Sequence, residues 1–135
     1  MQPLRSIAAV VAGFGFMASA VMVGTMLATA LFVSSDAAAP DPLPVVYLAA
    51  NLATNLLGAV FGGWLAARIG TSAPFGHAVA LAAITAVLSI WAVVQAPAAG
   101  QPAWYAVVVG IIGVAGVLAG GRLRAAAAAP GAVVA

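Results

Sequence analysis

Four long apolar runs, separated by breaks that contain proline, fix the environment in which this chain can fold. The runs cover roughly residues 6–33, 45–69, 75–96 and 103–121. A helix needs about 20 mostly apolar residues to cross a bilayer, and each run meets this. The breaks read SSDAAAPDPLP (34–44), GTSAP (70–74) and PAAGQP (97–102), and all eight prolines lie outside the runs. Proline removes a backbone donor and clashes with the preceding turn, so it belongs at helix ends. Lipid has no partner for an unpaired backbone group, which excludes open sheets. The runs are continuous rather than alternating, which argues against a β-barrel. The sequence therefore predicts an all-α, four-helix transmembrane bundle over residues 1–124. Residues 125–135, AAAAAPGAVVA, read as a short cytoplasmic tail whose alanines extend span 4 by a turn or two before Pro130.

Composition agrees. Hydrophobic residues make up 66% and charged residues 4%, against about 25% charged in a soluble domain. Such a chain cannot cover itself with water-compatible side chains, and the lipid bilayer is its first partner. The chain has no Cys, so it has no disulfides, thiolate metal sites or cysteine nucleophile. Its four basic residues are all Arg, too few for a nucleic-acid surface. The absence of Lys and the abundance of Ala, Val and Gly point to a bacterial source.

Span 1 has a second reading as a cleaved signal peptide, with Arg5 before it and Ala37-Ala38-Ala39 as a cleavage site. Its apolar stretch is far longer than the usual core of about 7–15 residues, so it is read as a retained span.

Charge sets the expected orientation. With four spans, the N-terminus, the loop between spans 2 and 3, and the C-terminus share one side. Arg5, Arg68, Arg122 and Arg124 all lie there, and Asp36 and Asp41 lie on the other. Positive charge close to span ends stays in the cytoplasm. The expectation is N-in and C-in, in the bacterial inner membrane. Tyr47, Trp104 and Tyr105 fit the outer boundary as aromatic anchors, and Trp64 and Phe75 the inner one.

Every span carries a face of small residues, the kind that lets helix backbones approach in lipid. In span 2, Asn51, Thr54, Asn55, Gly58, Gly62 and Ala66 follow helical spacing, polar in the outer half and small in the inner half. Span 4 offers Ala106, Gly110, Gly113, Gly116 and Gly120. Span 1 offers Ala20, Gly24 and Ala28 beside Thr25 and Thr29, and span 3 offers Ala78, Ala82, Thr85, Ser89 and Ala92. Asn51 and Asn55 are the most specific polar feature. One reading makes them interhelical glue bonded to Thr25, Thr29, Thr85 or Ser89; the other makes them, with Thr54, the lining of a pore or pocket. His77, the one histidine, falls in the first turn of span 3 near the inner interface, and an interfacial polar role is expected of it.

No ionisable residue lies deep in a span, whereas proton-coupled exporters use a buried carboxylate. The chain shares length and span count with the small multidrug-resistance exporters but lacks the span 1 glutamate on which they depend. NLLGAVFGG (55–63) resembles the second span of the small fluoride channels. Their third-span motif is absent, and the arginine bias opposes the dual topology those channels need. Catalytic constellations and phosphate loops are absent, and GFG at Gly13–Gly15 is too short for a nucleotide fingerprint.

RSIAAVVAGF at the start, GGWLAARIG closing span 2, His77 close behind, and AGGRLR closing span 4 together resemble small four-span bacterial integral membrane proteins of about this length. The resemblance covers nearly the whole chain and implies architecture without an activity. GGWLAARI and LAGGRLR also resemble each other, which suggests a duplicated two-span hairpin. The functional expectation is an accessory or structural membrane protein working through helix contacts with itself or a partner subunit, with no cofactor and no enzymatic activity. The alternative is a homo-oligomeric channel or facilitator for a small neutral solute or ion.

Overall fold

A computed structural model describes residues 2–33, 43–70, 73–96 and 102–128. The described residues form four helices: α1 (Gln2–Phe32), α2 (Val45–Ile69), α3 (Pro74–Gln95) and α4 (Ala103–Ala127). All four are long and apolar enough to cross a membrane. Asp36, Asp41 and the segment 129–135 lie outside the described residues, as do most of the 34–44 and 97–102 breaks.

The helix ends follow the prolines, with one refinement. Pro44 and Pro102 sit just before α2 and α4 in extended conformation, and their carbonyls accept from Leu48 N (3.1 Å) and Tyr105 N (3.0 Å). Pro3 and Pro74, placed outside the spans by the sequence reading, lie inside the first turns of α1 and α3. The first turn has no intrahelical acceptor for its N–H groups, so proline costs nothing there. Helix α4 runs through the alanines after Arg124 and ends at Ala128, whose N–H bonds Ala125 O at 3.2 Å.

Helix α2 is the centre of the bundle. It packs against α1 on one side and α4 on the other, and α3 leans chiefly on α4. Contacts order the directions: Gly24 meets Thr54 and Gly13 meets Gly62, so α1 and α2 are antiparallel. Gly116 meets Ala59 and Gly120 meets Val60, so α2 and α4 are parallel. Gly110 meets Ser89 and Gly121 meets Ala78, so α3 and α4 are antiparallel. Arg5, Arg68, Arg122 and Arg124 consequently gather at one end of the bundle.

Two glycine doublets let α2 and α4 each serve two neighbours. Adjacent helical residues point about 100° apart. Gly62 faces Gly13 of α1, while Gly63 faces the Val117 carbonyl of α4. Gly120 faces the Val60 carbonyl of α2, while Gly121 faces Ala78 of α3. Between these contacts lies a small core of Met17, Ala59, Ala66, Leu81, Ala82 and Val117. The large side chains on the outside, such as Leu27, Leu57, Ile90 and Ile111, are exposed, as lipid-facing residues must be.

Candidate functional site

Three places in the bundle gather polar side chains. The first lies between α1, α2 and α4. Thr25 Oγ1 donates to Asn51 Oδ1 at 2.9 Å, and the Tyr105 hydroxyl lies beside the Asn51 side chain. Tyr105 is only 4% exposed, so it turns inward from the boundary where the sequence placed it as an anchor. Its neighbour Trp104 faces outward and meets the Tyr105 ring edge-on at 5.8 Å between centroids. The role of Tyr105 was missed because an aromatic beside a proline break reads as an interface residue. The spacing of Tyr105 and Ala106, which together begin the buried face of α4, was the available signal.

The second place is a crevice between α1 and α3. Its floor carries Asn55, Thr85 and Ser89, and its volume is 390 Å³. Asn55 is 7% exposed and makes no hydrogen bond with any described residue. The interhelical bond expected of it is therefore not formed. The cause is local. Thr85 Oγ1 donates to Leu81 O at 2.9 Å and Ser89 Oγ to Thr85 O at 2.7 Å, so both hydroxyl protons are committed to their own helix. Thr29 and Thr54 do the same, to Thr25 O and Ala50 O. Thr54 also packs on Gly24 of α1.

The single polar stripe read along α2 thus divides. Asn51 and Thr54 face α1, while Asn55 faces the crevice beside Gly113 of α4. Thr54 and Asn55 are adjacent, hence about 100° apart, and a helix sandwiched between two partners separates them. The small stripes divide in the same way. Gly58 and Gly62 serve α1, and Gly116 and Gly120 serve α2. Gly113 lies against Thr85 of α3, with Asn55 Oδ1 nearby.

The third place is the end that holds the arginines. Arg68 lies over the Trp64 ring at 5.0 Å and Arg122 over the Phe75 ring at 5.6 Å. His77 is buried (8% exposed) rather than open to water as expected. Its ring packs on Gly70, and its Nδ1–H donates to Ala73 O at 2.7 Å. It acts as a clip on the α2–α3 connection. Among the described residues no group of three or more His, Cys, Asp or Glu could hold a metal ion.

These features are those of an all-helical, multi-pass membrane protein. Comparison with protein families, with curated proteins and with solved structures finds no match.

Proposed function

We propose that this chain is an accessory or structural protein of the bacterial inner membrane, oriented N-in and C-in, that works through helix contacts with a second copy or a partner subunit. One observation carries the reading. Ala8, Ala12, Gly15 and Ser19 share a face of α1 by helical spacing, and that face turns away from the bundle. A Cβ on Gly15 would meet nothing within 4 Å. Ser19 is exposed and makes no hydrogen bond, although it stands well inside an apolar helix. Small residues and a free hydroxyl are what a neighbouring transmembrane helix packs against. The gathering of four arginines at one end supports the orientation.

The test is oligomeric state and co-purification after mild detergent extraction. The parent is expected as an oligomer or with a partner. Gly15→Leu is expected to release the single chain without lowering its melting temperature, because no internal contact is disturbed. A parent protein that is monomeric and unaccompanied in every mild detergent would remove the reading.

The second reading is a homo-oligomeric channel or facilitator for a small neutral solute or ion. It is favoured by the unbonded Asn55 amide alone. Flux through liposomes containing the parent, lost in a folded Asn55→Leu variant, would promote it.

A further inference from the structure

Among the described side chains Asn55 is the one amide that is more than nine-tenths buried. It stands ten residues into α2, about 15 Å along the axis at 1.5 Å per residue, half-way across a core of about 30 Å. Leaving a buried polar group unbonded costs about 1–3 kcal/mol. No described side-chain N or O is both sealed from the surface and without a partner. The Asn55 amide therefore keeps its access through the crevice that it lines.

The crevice has the form of a small ligand site. Its 390 Å³ falls within the range of ligand pockets, about 300–1,000 Å³. The walls are apolar, from Phe14, Met17 and Val21 of α1 and Leu88 of α3. Leu81 reaches Gly13 and closes the gap between α1 and α3 on the arginine side. Met22, Leu88 and Ala92 on the rim are exposed, so the mouth opens sideways to lipid. The larger groove of 650 Å³ between α3 and α4 includes Ile90, Val94, Val107 and Ile111 in its lining and no amide.

The chemistry of the lining selects an occupant. Thr85 and Ser89 spend their protons on α3, so Asn55 is the only free donor at the floor. Its N–H groups make no hydrogen bond with the described residues, and a ligand carbonyl would supply an acceptor. Among the described residues no ionisable one lines the crevice, so a charged group would be unpaired near the midplane, where charge is expensive. A phospholipid headgroup stays at the interface for the same reason. A helix, about 10–12 Å across with its side chains, does not fit so small a space. We infer that the crevice between α1 and α3 binds a neutral, lipid-soluble molecule whose carbonyl oxygen accepts a hydrogen bond from the Asn55 amide. The inference does not use the helix-contact role, although Ala18 and Met22 on the crevice stand three and seven residues from Gly15 and border its face.

The test uses 4-octylbenzophenone, a neutral carbonyl probe that cross-links to C–H bonds on irradiation and favours methionine. Met17 is buried and lines the crevice; Met26 is lipid-exposed and outside it. With the full chain in nanodiscs and sites mapped by mass spectrometry, Met26 reports background from the bilayer. Labelling at Met17 is expected to exceed that at Met26 by about fivefold, the scale of one net hydrogen bond. It is expected to fall to the Met26 level in Asn55→Leu. Ala92→Leu, which narrows the exposed rim and breaks no contact of the core, should do the same and carries the test if Asn55→Leu fails to fold. Equal labelling of Met17 and Met26 in the parent overturns the proposal. So does Met17 labelling that survives in folded Asn55→Leu, because the crevice would then take any apolar chain without using the amide.

Discussion

Gly13 of α1 and Gly62 of α2 face each other backbone to backbone: a Cβ on Gly13 would lie 2.7 Å from the Gly62 carbonyl oxygen, and one on Gly62 would lie 2.8 Å from that of Gly13. Neither position can carry a side chain unless the helices move apart. The contact stabilises through dispersion along two closely apposed backbones, since lipid tails leave no hydrophobic driving force between helices.

The first prediction follows from that geometry. Gly62→Leu and Gly116→Leu should each destabilise the bundle by about 1–3 kcal/mol or more through overpacking. Gly116 has Ala59 Cβ at 2.8 Å from where its own Cβ would be. Val107→Leu should be nearly neutral, because Val107 is exposed. Melting temperatures in one detergent check the order. Equal values for the three variants would remove the small-residue argument.

The bundle was legible in the sequence to the extent that it rests on period and punctuation. The 45–69 run became α2 with the same ends, because Pro44 and Gly70 bound it on both sides. Which helix meets which was not legible. A stripe of small residues states that a helix packs closely without naming the partner, and Gly58 and Gly62 turned out to serve α1 while Gly63 serves α4. The doublets Gly62-Gly63 and Gly120-Gly121 held the missing information, since adjacent glycines mark a helix with two close neighbours. The polar residues were found as residues but not as partners. Whether a hydroxyl bonds across the bundle or back to its own helix depends on side-chain rotamers, which spacing does not encode.

Asn51 and Asn55 should therefore respond differently to removal of the amide. Asn51→Leu breaks the bond from Thr25 and removes the polar neighbour of the Tyr105 hydroxyl. A loss of about 1–2 kcal/mol is expected. Asn55→Leu breaks no internal bond and should change stability by less than about 0.5 kcal/mol, or increase it. Detergent unfolding of both variants decides the matter. A double-mutant cycle with Thr25→Val should show coupling to Asn51 and none to Asn55. Equal losses at the two positions would mean that Asn55 has found a partner within the bundle.

At the arginine end, Gly70→Ala should displace the His77 ring, since an added Cβ would overlap it. His77→Ala should leave Ala73 O without the Nδ1–H donor. Each should destabilise by about 1–2 kcal/mol, and the double variant should lose less than the sum, because the two residues share one contact. Full additivity in thermal unfolding would show that the histidine and the glycine act separately.

The last prediction concerns orientation. Helices α1 and α2 are antiparallel, and α4 runs parallel to α2, so the start of α1 and the ends of α2 and α4 lie together. All four arginines of the chain are at that end. Arg68 and Arg122 rest over aromatic rings with their charges at the rim, a geometry that keeps the guanidinium near headgroups and water. Moving those charges across the bilayer would need four separate transfers, whereas the opposite end has no basic residue to oppose the bias. Reporter fusions after Ala135 and within 70–74 should accordingly be cytoplasmic, and fusions within 36–42 should be external. An external reporter after Ala135 would reverse the topology. A mature N-terminus between 34 and 40, found by sequencing the purified protein, would show that the first helix is removed. Replacing Arg122 and Arg124 by Ala should weaken the preference without inverting it, because Arg5 and Arg68 remain on the same side, and a mixed population of reporter signals would be its measure.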